Sequence, residues 1–143
     1  MVPPKGVKKK SVDTHLTQGK NRRILVVDDE KSVQDVLSGL LYCMGFEVAL
    51  AGNGVEALAI FIKNFFDLVL TDLQMPVMDG SNLAHLIKER SPNTPIVLLT
   101  GADKETVSKK IKSGSIDSVI FKPFLLNDVQ STVQRALELR EGE

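Results

Sequence analysis

The sequence predicts an α/β domain: a doubly wound, five-stranded parallel sheet with helices on both faces. Three observations carry this. Apolar runs of strand length alternate with stretches of helical period through most of the chain. Several of the runs, such as Leu68–Val69–Leu70, are too apolar to have a wet face, which places them in a sheet covered on both sides. Polar residues follow the runs directly, as expected where strands end at one rim.

Element by element, "RILVV" from Arg23 is a buried-strand run. "KSVQDVLSGLLYCMG" follows, with Val33, Val36, Leu37, Leu40, Leu41 and Met44 on one helical stripe and Gly45 as its stop. "FEVALA" is a second strand and "GVEALAIFIKN" a second helix. The strand "LVLT" precedes the helix "SNLAHLIKER", with Ser81 as its expected cap and its end near Pro92. "IVLLT" precedes the more polar helix "KETVSKKIKSG". "SVIF" precedes a last helix beyond Pro123, with Leu126, Val129, Val133 and Leu137 inward and Asn127 with Gln130 as an expected capping pair.

Composition limits what such a domain can be. The chain has 143 residues, 43% hydrophobic and 25% charged, which suits one soluble domain with a real core. No run is long enough to span a membrane, and the amino terminus lacks the apolar stretch of a signal peptide, so a cytoplasmic address is expected. The single Cys43 excludes an intramolecular disulfide framework and is expected to pack on an apolar helix face. The net charge of zero hides an asymmetry: residues 1–23 hold seven basic residues against Asp13, a net +6, which leaves −6 for the remainder. Residues 1–22 are therefore expected to form a basic, disordered extension, most simply a solvated leader, ahead of a folded domain over 23–143.

The strand ends carry the chemistry. The first strand runs out into Asp28, Asp29 and Glu30, the third into Asp72, the fourth into Thr100 and the fifth into Lys122. Carboxylates crowded at one rim repel unless a cation lies between them, and oxygen-only ligation suits a small hard ion such as Mg2+. A hydroxyl and an ammonium across the rim are donors for a phosphoryl group, with Asp72 as the nucleophile candidate. Singly, each residue has a structural explanation, and for Asp79 the Asp-Gly turn suffices. Their joint placement at successive strand ends favours a working site.

The segments "ILVVDDE", "LVLTDLQMPVMDG", "IVLLTG" and "FKPF", in this order and spacing, resemble the receiver domain of two-component response regulators from about residue 23 to 140. The resemblance implies a flavodoxin-like sheet of order 2-1-3-4-5 and phosphorelay signalling, without enzymatic activity beyond self-phosphorylation and autodephosphorylation. It implies that Asp72 accepts a phosphoryl group from a histidine kinase or phosphotransfer protein, with Mg2+ held by Asp29, Asp72 and the Gln74 backbone carbonyl, and by Asp28 through water. Thr100 would hydrogen-bond the phosphoryl oxygen, Lys122 would pair with it, and the Gln74 and Ala102 side chains would tune hydrolysis. The expected partners are that kinase and a downstream protein target, with no membrane and no direct nucleic-acid contact. Only "REGE" follows the last helix, so output is expected through a partner or through a longer protein of which this is a piece. Such domains usually have Tyr or Phe where this chain has Val119; Phe121, on the same strand face but nearer the site, does not substitute.

A second reading stays open. Gly52, Gly54 and Ala57 fit G-x-G-x-x-A between a strand and a helix, and Asp72 lies 18 residues beyond Gly54, as a ribose-binding acid would in a dinucleotide-binding enzyme. Negative charge at Asp28 and Asp29 and the short remaining chain weigh against it, and a tight strand-to-helix turn explains the glycines more simply.

Overall fold

The computed structural model describes residues 21–111 and 114–141. The expected basic extension lies almost wholly outside the described residues. Five strands alternate with five helices: β1 (Arg23–Val27), α1 (Lys31–Cys43), β2 (Glu47–Ala51), α2 (Gly54–Lys63), β3 (Leu68–Asp72), α3 (Gly80–Arg90), β4 (Ile96–Thr100), α4 (Lys104–Lys110), β5 (Ser118–Phe121) and α5 (Leu126–Glu141). The strands form one parallel sheet in the order β2-β1-β3-β4-β5. β3 and β4 are buried at every position, whereas the edge strands β2 and β5 are largely half-buried. This explains why runs such as Leu68–Val69–Leu70 are too apolar to have a wet face.

Strand alternation divides the core. Ile24, Val26, Leu68, Leu70, Val97, Leu99 and Ile120 face Leu37 and Leu41 of α1 and Val129, Val133 and Leu137 of α5. Leu25, Val27, Val69 and Ile96 face Ala57 and Phe61 of α2 and Leu83, Ala84 and Ile87 of α3. Leu73, Leu98 and Val107 form a smaller cluster under α4, against which Val119 and Phe121 pack. Helices thus cover both faces, leaving the strand ends as the place where polar groups gather. At the opposite end, Arg140 holds α5 to the start of β3 through the Asp67 carbonyl and carboxylate, both at 3.1 Å.

Several local expectations are corrected. Ser81 does not cap α3: Asp79 does, accepting from the Asn82 N–H at 2.9 Å, and the Ser81 hydroxyl donates to the same Asp79 oxygen at 2.8 Å. Asn127 and Gln130 lie inside α5, so they form no capping pair; Asp128 accepts weakly from the Leu125 N–H instead, at 3.4 Å. Leu126 is 48% exposed because it opens the helix before the first inward turn. Cys43 and Val36 are exposed, since the buried stripe of α1 is narrower than its apolar composition and centres on Leu37 and Leu41. Gly45 does stop α1, with φ 96°.

Candidate functional site

Parallel register fixes where each strand-end residue falls. Val27 is level with Thr71, so the next residues, Asp28 and Asp72, emerge side by side from β1 and β3. Asp72 is level with Leu99 and Thr100 with Phe121, so Thr100 and Lys122 lie one step further along the same rim. The register therefore sets Asp28, Asp72, Thr100 and Lys122 along one rim, whereas Glu30, named from the same first strand, is exposed at the cap of α1.

The acids converge. Oxygens of Asp28, Asp29 and Asp72 lie within 4.8 Å of one another. Asp28 and Asp72 are buried and Asp29 is exposed, giving a cluster with one side open to solvent. Lys122 Nζ reaches into it, 3.5 Å from Asp28 Oδ2 and 3.7 Å from Asp72 Oδ1. Asp28 Oδ1 accepts from the Glu30 N–H at 2.9 Å, but Asp28 Oδ2 is buried with no hydrogen-bond donor. Burial raises the Asp72 carboxyl above its ordinary range; the Lys122 ammonium opposes this, Asp28 adds to it, the Leu73 N–H opposes it and Asp29 adds a little more. Three carboxylates, one with a buried oxygen that no hydrogen bond satisfies, against a single ammonium form a hard, oxygen-only, negatively biased donor set. The residues present fit a small divalent cation such as Mg2+.

Thr100 ends β4 with no solvent exposure, and its hydroxyl oxygen accepts from the Ala102 N–H at 3.0 Å. Its backbone carbonyl accepts from the Lys122 N–H at 2.7 Å, tying the two neighbouring strand ends together. Gln74 is exposed on the loop that follows Asp72. That loop folds tightly: the Gly80 N–H donates to the Leu73 carbonyl at 2.8 Å, and a Cβ on Gly80 would collide with the Asp72 carbonyl oxygen. The glycine of the Asp-Gly pair is thus required for close approach. Val77, in the same loop, is 94% exposed with φ 72°, a left-handed conformation that a β-branched residue adopts only under strain.

Two contributors escaped the sequence reading. Gln34 of α1 returns to the end of β1, and Lys110 of α4 bonds Asp79 Oδ2 at 3.2 Å across a cleft of about 350 Å³ lined also by Leu73, Gln74, Met75 and Pro76. Neither stands at a strand end, and nothing in a lone glutamine or lysine on a helix marks it in advance.

Residues 24–134 match the response regulator receiver domain family. The chain belongs to that family. Regulatory protein AtoC of Escherichia coli is 41% identical over 119 residues, and transcriptional regulatory protein ZraR of Klebsiella oxytoca 39% over 120. These matches cover 82% and 83% of this chain but 26% and 27% of the relatives, so the receiver spans about a quarter of their length. Among solved structures, a CheY-like receiver domain from Methanospirillum hungatei superimposes with a TM-score of 0.82 at 28% identity, covering 86% of this chain and 98% of that one. The response regulator TrrA of Thermotoga maritima, solved in complex with Mg(2+)-BeF, gives 0.74 at 32% identity, covering 80% and 98%. The chain is thus a receiver domain of two-component phosphorelay signalling, and no helix among its described residues is long and apolar enough to cross a membrane.

The dinucleotide reading is not supported, and the geometry of the glycines shows why. Asn53 caps α2 by accepting from the Glu56 N–H at 2.8 Å, and Glu56 Oε1 accepts from the Gly52 N–H at 2.8 Å. Two of the N–H groups at this turn, those of Gly52 and Glu56, are therefore engaged, and the Glu56 carboxylate places negative charge beside the start of α2. Neither Gly52 nor Gly54 has a positive φ; a Cβ on Gly54 would meet Met78 at 2.9 Å, so this glycine makes room for the loop after β3.

Proposed function

We propose that Asp72 is the phosphoacceptor of this receiver, taking a phosphoryl group from the phosphohistidine of a sensor kinase or phosphotransfer protein. The observation that carries the proposal is the convergence of Asp28, Asp29, Asp72 and Lys122 at the ends of β1, β3 and β5. In the transfer, an Asp72 carboxylate oxygen forms a bond to phosphorus as the phosphorus–nitrogen bond to the donor imidazole breaks, and the imidazole keeps the electron pair. Asp29, Asp72 and the Gln74 backbone carbonyl would hold Mg2+, with Asp28 acting through water. The ion, when bound, supplies charge neutralisation for the crowded carboxylates and the transferring phosphoryl oxygens.

The chain's own groups supply the rest. Lys122, now shared between Asp28 and Asp72, turns to the phosphoryl oxygens once Asp72 carries the acyl phosphate. The Thr100 hydroxyl exchanges its contact with the Ala102 N–H for one with the phosphoryl group, which pulls on the loop leading to the Asp103 cap of α4. The face formed by α4, β5 and α5 then changes its affinity for a downstream protein. With Val119 packed beneath α4, the reporter on that face is helix position. No direct nucleic-acid contact is assigned to the receiver; the transcriptional role in the name of ZraR belongs to a much longer protein.

Intact-mass measurement with acetyl phosphate and Mg2+ tests the acceptor. One acid-stable, base-labile phosphoryl group is expected on the wild type and none on Asp72→Asn. Undiminished labelling of that variant ends the assignment.

A further inference from the structure

We infer that Gln34 is a positioning residue for the metal site, acting through the backbone of Asp28 and Asp29. The inference rests on the Mg2+ reading above and goes beyond it in naming what aims the exposed acid. Gln34 Nε2 donates to the Asp28 carbonyl at 2.7 Å and to the Ala51 carbonyl at 3.3 Å. Only the nitrogen of the amide can satisfy two carbonyl oxygens, so the orientation of the side chain is unambiguous.

These contacts close a ring. Asp28 Oδ1 accepts from the Glu30 N–H at 2.9 Å, the Glu30 carbonyl accepts from the Gln34 N–H at 3.1 Å, and the Gln34 side chain returns to the Asp28 carbonyl. Asp29 sits inside that ring. Among the described residues, its carboxylate makes no hydrogen bond or ion pair, so its Cα–Cβ bond is aimed into the cluster by the backbone on either side. The second Gln34 contact extends the ring to β2, whose Ala51 carbonyl also accepts from the Asp28 N–H at 3.1 Å. One half-buried amide therefore locks the end of β1 to both α1 and β2.

The choice of ion makes the role measurable. Mg2+ demands near-ideal octahedral geometry, whereas Ca2+ tolerates irregular ligation, so loosening Asp29 should penalise Mg2+ selectively. Gln34→Met keeps the length of the side chain and removes both donors. We would titrate the 143-residue chain with MgCl2 and with CaCl2, following backbone amide shifts by NMR. The expected result is Mg2+ binding weakened about tenfold, the lower end of what loss of an outer partner costs a metal site, with Ca2+ weakened less than about twofold. Gln34→Asn, one methylene too short to span both carbonyls, should show the same loss of preference and serves if the methionine variant folds poorly. Equal weakening of both ions, as a reduced folded population would give, overturns the inference, as does unchanged Mg2+ binding. A wild type without saturable shifts at Asp28–Glu30, or undiminished by Asp29→Ala, overturns the Mg2+ reading itself and the inference with it.

Discussion

Replacing Gly80 by alanine should damage this receiver far more than a single methyl group suggests. The added Cβ would overlap the Asp72 carbonyl oxygen and stand 3.0 Å from both the Asp72 carbonyl carbon and Leu73 Cα. All three are backbone atoms at the end of a fully buried strand, so no side chain can rotate away. Overpacking of this kind costs up to about 3 kcal/mol. Since Gly80 has no positive φ, the reduced freedom of the unfolded chain returns about 0.5 kcal/mol, leaving a net loss of about 2.5 kcal/mol. At about 4 °C per kcal/mol for a domain of this size, the melting temperature should fall by about 10 °C. Urea unfolding followed by circular dichroism would show the midpoint fall with an unchanged slope. Gly101→Ala is the control, because nothing lies within 4 Å of its Cβ, and a change of less than about 0.5 kcal/mol is expected. A Gly80→Ala protein as stable as the Gly101 variant would refute the close-approach argument.

Three further outcomes are expected. Val77→Gly should stabilise the protein by about 0.5–1 kcal/mol in the same urea assay, because relief of a left-handed valine outweighs the added freedom of the unfolded chain and a 94% exposed side chain forfeits no packing. Burial opposes ionisation of Asp79, but the Asn82 N–H, the Ser81 hydroxyl and Lys110 together overcome it and hold the carboxyl below its ordinary value of 3.8. Its stabilisation is therefore complete above that value and is lost as pH falls through the lower folded one; Asp79→Asn should be less stable at neutral pH, with the difference closing in acid. Val119→Tyr should shift α4 amide resonances, because the ring must displace the Val107 cluster, while phosphorylation by acetyl phosphate, timed by mass spectrometry, stays within about threefold, under about 1 kcal/mol of barrier.

The residues show how far the sequence reached. Asp28, Asp29, Asp72, Thr100 and Lys122 could be nominated because they stand where apolar runs end, and in a parallel sheet all such positions share one rim. The strand runs themselves were legible because β3 and β4 are buried on both faces and tolerate little but apolar residues. What tertiary structure decided was which groups meet across chain separations that carry no pattern. That Asp79 rather than Ser81 caps α3 depends on where the loop after β3 lands, and that loop is placed by the fit of Gly80 against Asp72. That the Glu56 carboxylate takes up the Gly52 N–H is not visible in a glycine pattern that admits a phosphate on paper. The ring from Gln34 through Glu30 to Asp28 is short in sequence, yet its anchor at Ala51 exists only because β2 pairs with β1. Periodicity encodes which face a residue occupies, because burial repeats along an element; it does not encode a hydrogen bond between elements, because distance and angle are set only once the sheet has assembled.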